Sequence, residues 1–125
     1  MAELILIVDD NDASRELLRD VLEYDGFEIV ESVTAEDGLA AARSRLPALI
    51  LMDIQLPGMS GIEALREIRA DPALRHIPVV AVTASVMTQD ETRVKDAGFD
   101  AFQRKPVHVK TIREIVRGLV RRKVE

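Results

Sequence analysis

Apolar runs alternate with helix-period segments along the whole chain. Leu4–Val8 (LILIV), Ala48–Met52 (ALILM) and Val79–Val82 (VVAV) are short, continuous and rich in branched side chains. That pattern predicts strands covered on both faces. Glu28–Ser32 (EIVES) and Ala101–Lys105 (AFQRK) mix polar with apolar residues, as edge strands do. After the first run, Ala13, Leu17 and Val21, with Leu18 and Leu22, recur at helical spacing and stop at Asp25 and Gly26. Thr34 with Asp37, and Ser60 with Glu63, have the spacing of helix N-caps. The first opens a helix to about Arg45, and the second a helix carrying Ile62, Leu65 and Ile68. A weakly amphipathic helix follows Thr83 and closes at Gly98. The last helix puts Ile112, Ile115, Val116, Leu119 and Val120 on one face.

Strictly alternating strands and helices predict an α/β fold, (βα) repeated five times around a parallel sheet with helices on both faces. Right-handed crossovers, with the mixed strands at the edges, favour the order 2-1-3-4-5. This is the flavodoxin-like doubly wound arrangement, whose ligands bind at the carboxyl ends of the first and third strands. The polar residues that end the strands converge there. Asp9 and Asp10 follow the first strand and Asp53 the third, while Thr83 ends the fourth and Lys105 the fifth. Three carboxylates in one place repel one another and call for compensation. An all-oxygen ligand set suits a hard cation such as magnesium. The first βα turn, Asp9–Asp12 (DDND), would repel a nucleotide phosphate and is not a glycine-rich phosphate loop. No Ser-His pair stands at motif spacing, which argues against acyl transfer. A metal, a lysine, a hydroxyl and a carboxylate together suit phosphoryl transfer onto that carboxylate.

Composition narrows the setting. With 125 residues, 47% of them hydrophobic, the chain predicts one domain spanning residues 1–125. The absence of cysteine excludes disulfides, thiolate metal sites and a cysteine nucleophile. No apolar run exceeds five residues and no secretory signal opens the chain, so the expected location is cytoplasmic with no membrane partner. The net charge of -5 argues against nucleic acid as a direct partner.

Asp9-Asp10, Asp53, Thr83-Ala84 and Lys105-Pro106, in that order, resemble the motif set of the receiver domain of two-component response regulators. The segment Leu51–Gly61 (LMDIQLPGMSG) is close to that family's phosphoacceptor segment. Met52–Pro57 and His76–Thr83 look closest to DivK-like single-domain regulators and to receiver modules of hybrid kinases. The resemblance covers the whole chain. It implies that Asp53 is the phosphoacceptor, that Asp10 ligates Mg2+ directly, and that Asp9 holds it mainly through water. The Gln55 backbone carbonyl would be a further ligand. Lys105 would bind a phosphoryl oxygen, Thr83 would move onto another, and the Ala84 backbone N–H would stay open to the group. Phe102 matches the aromatic switch position, Pro106 a cis peptide bond, and Gln55 and Ser85 the positions that tune phosphoryl lifetime.

The implied donor is a histidine kinase or histidine phosphotransferase, docking around Ala13, Ser14 and Leu17. The implied output face is the fourth helix, fifth strand and fifth helix, with Val86, Met87, Arg104, Val107 and His108 as candidates. A phosphorylation-dependent homodimer through that face is a further implication. The expected role is a phosphoacceptor with Mg2+-dependent self-dephosphorylation rather than an enzyme. Because the sequence ends with the fifth helix, output by protein contact is expected. A module excised from a longer regulator or hybrid kinase would end in the same place, and Met1 argues only against an upstream kinase region.

Other readings stand beside this one. Taken alone, Asp9–Asp12 is a turn and helix start, which is the reading kept for Asp12. His76 and His108 read as surface residues. An aspartyl-phosphate phosphohydrolase usually wants a second acid where Gln55 stands. A flavin- or nucleotide-binding module is opposed by the acidic first loop and by an aromatic content of 3%. A pseudo-receiver would lack a motif residue, and none is missing.

Overall fold

The computed structural model describes residues 3–84 and 96–124. Five strands, β1 (Leu4–Val8), β2 (Glu28–Ser32), β3 (Leu49–Met52), β4 (Val79–Thr83) and β5 (Ala101–Arg104), form one parallel sheet in the order β2-β1-β3-β4-β5. The mixed strands are the edges and the apolar runs are the centre, as the hydropathy pattern predicts. Among the described residues the helices are α1 (Asp12–Tyr24), α2 (Ala35–Arg45), α3 (Gly61–Ala70) and the C-terminal helix, Val109–Val124.

Successive strand residues face opposite layers. Ile5, Ile7, Leu49, Leu51, Val80 and Val82 pack under α1 and the C-terminal helix. Leu6, Val8, Ile50, Met52 and Val79 pack with α2 and α3 on the other face. Both layers are buried and apolar, so these strands show no polar alternation. Each fully buried Leu or Ile contributes roughly 1.5–3 kcal/mol relative to exposure.

The helix starts follow local chemistry. Asn11, Thr34 and Ser60 accept hydrogen bonds from the backbone N–H groups of Ser14, Asp37 and Glu63 at 2.9, 3.1 and 3.2 Å. Each satisfies a donor that the helix itself leaves unpaired. At the far end of the sheet, Arg69 donates to the carbonyls of Arg75 and Ile77 and to Asp100 Oδ2. Asp100 Oδ2 also accepts from Val79 N–H at 2.8 Å. Together they fix where β4 and β5 enter the sheet. The helix predicted between Thr83 and Gly98 falls mostly on residues 85–95. It lies outside the described residues, together with Ser85, Val86 and Met87. No helix among the described residues is long and apolar enough to cross a membrane.

Candidate functional site

The site is built from the first residue beyond each of three strands. In each case the parallel ladder continues one residue past the strand. Asp9 N–H donates to Ser32 O at 3.1 Å, Asp53 N–H to Val8 O at 2.9 Å, and Lys105 N–H to Thr83 O at 2.8 Å. These side chains therefore project from backbone that the sheet still holds, not from free loop. Asp9 and Asp53 are buried, while Asp10, in the β1–α1 turn, is exposed. Carboxylate oxygens of Asp9, Asp10 and Asp53 lie within 4.8 Å of one another.

Lys105 reaches back into this cluster. Its Nζ lies 2.9 Å from Asp9 Oδ2 and 3.0 Å from Asp53 Oδ2. The contact to Asp53 is an aligned hydrogen bond. The contact to Asp9 Oδ2, which is buried, is an ion pair at hydrogen-bond distance with poorer alignment. Asp9 Oδ1 accepts from Asn11 N–H at 2.9 Å, and Asp53 Oδ1 from Gln55 N–H at 2.8 Å. The Lys105–Pro106 peptide is cis.

Burial pushes the Asp53 carboxyl above its usual range, against the Gln55 N–H and the Lys105 ammonium, which favour the charged form. Burial opposes the Lys105 charge as well, but Asp9 and Asp53 outweigh it and raise its pKa. Three carboxylates against one ammonium leave an excess of two negative charges, the charge of one divalent cation. An oxygen-only set of three carboxylates carrying this excess fits such an ion.

Thr83 is fully buried at the end of β4, and Ala84 beside it is exposed. Phe102 on β5 is half-buried against Ile54 and Ala81. Arg104 and His108 are exposed, Val107 is half-buried, and His76 is exposed. On α1, Ala13 and Leu17 are exposed and Ser14 is half-buried.

Two neighbours of the site stand outside the sequence expectations. Gly61 opens α3 directly against the β3 exit. A Cβ there would lie 2.7 Å from Ile54 Cα and closer still to the Asp53 carbonyl oxygen. A glycine at the first helical position after a serine cap was the available signal. Arg15, on the first turn of α1, donates to the Asp9 carbonyl at 2.8 Å. Nothing in its sequence position marks that contact.

The sequence matches the family model of the response regulator receiver domain over residues 5–117. The chain belongs to the response regulator receiver domain family. It is 41% identical over 118 residues to the polar-differentiation response regulator DivK of Brucella ovis, covering 94% of this chain and 96% of that one. A CheY-like receiver domain protein from Methanospirillum hungatei JF-1 superposes with a TM-score of 0.89 at 30% identity, covering 98% of this chain and 96% of the other. The receiver domain of a Pseudomonas aeruginosa PAO1 sensor histidine kinase, solved with magnesium coordinated in its active-site cleft, gives a TM-score of 0.88 at 27% identity. That alignment covers 96% of this chain and 98% of that one. Receiver domains are components of two-component signalling, and act in general as phosphoacceptors rather than as conventional enzymes. The acidic cluster here occupies the strand ends where a receiver domain holds its metal.

Proposed function

We propose that this receiver domain accepts a phosphoryl group on Asp53 from a phosphohistidine of a kinase or phosphotransferase. The observation that carries the reading is the Asp53 carboxylate itself. It is buried, held at one oxygen by Gln55 N–H and at the other by Lys105, beside Asp9 and Asp10. In the transfer, an Asp53 oxygen attacks phosphorus, an acyl phosphate bond forms, and the bond from phosphorus to the donor nitrogen breaks. Asp9, Asp10, Asp53 and the Gln55 backbone carbonyl would hold Mg2+, which when bound offsets charge on the carboxylate and on the transferring oxygens. Lys105 moves from Asp53 to a phosphoryl oxygen. Thr83 and the Ala84 N–H take others. Asp53 is the nucleophile, and the other residues supply position and electrostatics.

Phe102, on β5 beside Ala81 and two residues along from the register partner of Thr83, passes the rearrangement to Arg104, Val107, His108 and the C-terminal helix. The signal leaves by protein contact in the cytoplasm, with phosphorylation-dependent self-association as one form of output. Water ends the signal by hydrolysing the acyl phosphate, at a rate set in part by the side chains of Gln55 and Ser85.

The test is incubation with a small phosphodonor and magnesium, followed by intact mass. One added phosphoryl group, absent in Asp53→Asn, is the expected result. No label under any donor or kinase, or a label that survives in Asp53→Asn, overturns the assignment.

A further inference from the structure

Arg15 has no part in the transfer step, yet it is one of the most constrained side chains at this end of the molecule. Its side chain is 15% exposed and its guanidinium reaches three elements. Nη1 donates to the Asp9 carbonyl, Nη2 pairs with Asp12 Oδ1 in its own helix, and Nε lies 3.4 Å from Glu31 Oε1 on β2. A planar fork with donors in fixed directions meets three such partners in one orientation only. The Asp9 carbonyl is therefore gripped from outside the sheet. The remaining groups of Asp9 are gripped as well, the N–H by Ser32 O and Oδ1 by Asn11 N–H. Only Oδ2 is left without an aligned donor, and it is buried.

We infer that Arg15 is a positioning residue for the cation site: by pinning the Asp9 carbonyl it fixes the backbone from which the remaining Asp9 oxygen is presented to the ion. The inference rests on the receiver chemistry proposed above for the same site. Charge alone predicts the opposite sign. A cation beside a metal site weakens metal binding through space, so removing it would tighten binding. Positioning predicts that removing it loosens binding. Asp12 and Glu31 sit against the guanidinium and mute its field at the cluster, which leaves geometry as the dominant effect.

The experiment titrates magnesium into the metal-free protein by calorimetry and follows Asp53 labelling by a small phosphodonor across magnesium concentrations. Wild type, Arg15→Gln, Arg15→Lys and Glu31→Gln are compared. Arg15→Gln is expected to raise the magnesium Kd about tenfold, within the range for residues that orient metal ligands. Its labelling should fall at low magnesium and recover at high magnesium. Arg15→Lys keeps one donor and the charge, and should fall between. Glu31→Gln keeps the grip on Asp9 while releasing part of the guanidinium field, and should weaken binding less than Arg15→Gln does. A Kd that is unchanged or tighter in Arg15→Gln overturns the inference, as does a labelling loss that high magnesium does not recover. If Arg15→Gln fails to fold by circular dichroism, Arg15→Lys decides on the same criterion. A wild type that neither binds magnesium nor takes label sinks the receiver reading itself. A wild type that does both, with Arg15→Gln indistinguishable from it, sinks only the role of Arg15.

Discussion

Asp53 carries a charge in a place that resists charge. Burial raises its carboxyl above the ordinary value of 3.8, and the nearby Asp9 adds to the rise. A group whose folded pKa is raised contributes stability that is present below the unfolded value and lost as pH climbs through the folded one. In metal-free protein, Asp53→Asn should therefore be more stable than wild type at neutral pH, by about 1 kcal/mol on the scale of functional-site relief. The gain should shrink as pH falls through the raised carboxyl range, because folded Asp53 then takes up a proton and its charge leaves the buried site. Urea unfolding in chelator across that range measures the difference, and other carboxylates cancel between the two proteins. A gap that is constant with pH, or that widens in acid, contradicts the raised carboxyl. At this scale the sequence was informative where a polar residue directly follows an apolar run, as at Asp9 and Asp53, and at Lys105, which closes a mixed strand just before Pro106. It was silent on Arg15, whose contact depends on where a long side chain lands after α1 has packed.

Elements place these residues through their ends. The caps at Thr34 and Ser60 were legible because hydroxyl-to-backbone spacing is local. The end of α2 was legible from the Leu46-Pro47 pair, but its form was not. Leu46 takes the left-handed conformation at φ 47, a place usually given to glycine. Gly61 was missed for a different reason. Its helical backbone would accept any residue, and the constraint comes from a chain segment seven residues earlier that passes too close for a side chain. Gly61→Ala should push α3 away from the β3 exit and disturb the Asp53 carbonyl. The expected cost is about 1–3 kcal/mol of stability, as for other overpacked contacts. Labelling of Asp53 should also slow in chains that remain folded. Thermal unfolding together with intact-mass labelling checks both. A variant as stable and as reactive as wild type would show that the close approach is unimportant.

The whole molecule turns scattered acids into a local excess. The chain carries 22 acidic and 17 basic residues, and that balance says little, because most of these groups lie at the surface. The sheet gathers three carboxylates around one ammonium, and the fold pays for that concentration until a cation arrives. Magnesium should raise the melting temperature, since a ligand at about 100 times its Kd adds ~2.7 kcal/mol. The shift should be largely lost when Asp10→Asn removes the exposed carboxylate of the cluster. Differential scanning fluorimetry with and without magnesium measures it, and a melting temperature indifferent to the ion would argue against a metal site here. The sheet order and its two apolar layers were readable from periodicity, because a parallel sheet buried on both faces leaves an unmixed signature. The geometry of the site was readable only as a meeting place. Which oxygen meets which nitrogen depends on side-chain packing that periodicity does not encode.

The ladder that runs one residue past β1, β3 and β5 has a further consequence. Asp53 and Lys105 stand 52 residues apart in sequence and meet only when β5 has docked on β4. A chain that has folded β1 to β4 alone has the acids without the ammonium. A partly synthesised or partly unfolded copy thus lacks the ammonium proposed to bind a phosphoryl oxygen. If Asp53 accepts the phosphoryl group as proposed, the complete site exists only in a complete sheet, and a copy that lacks β5 should be a poor acceptor.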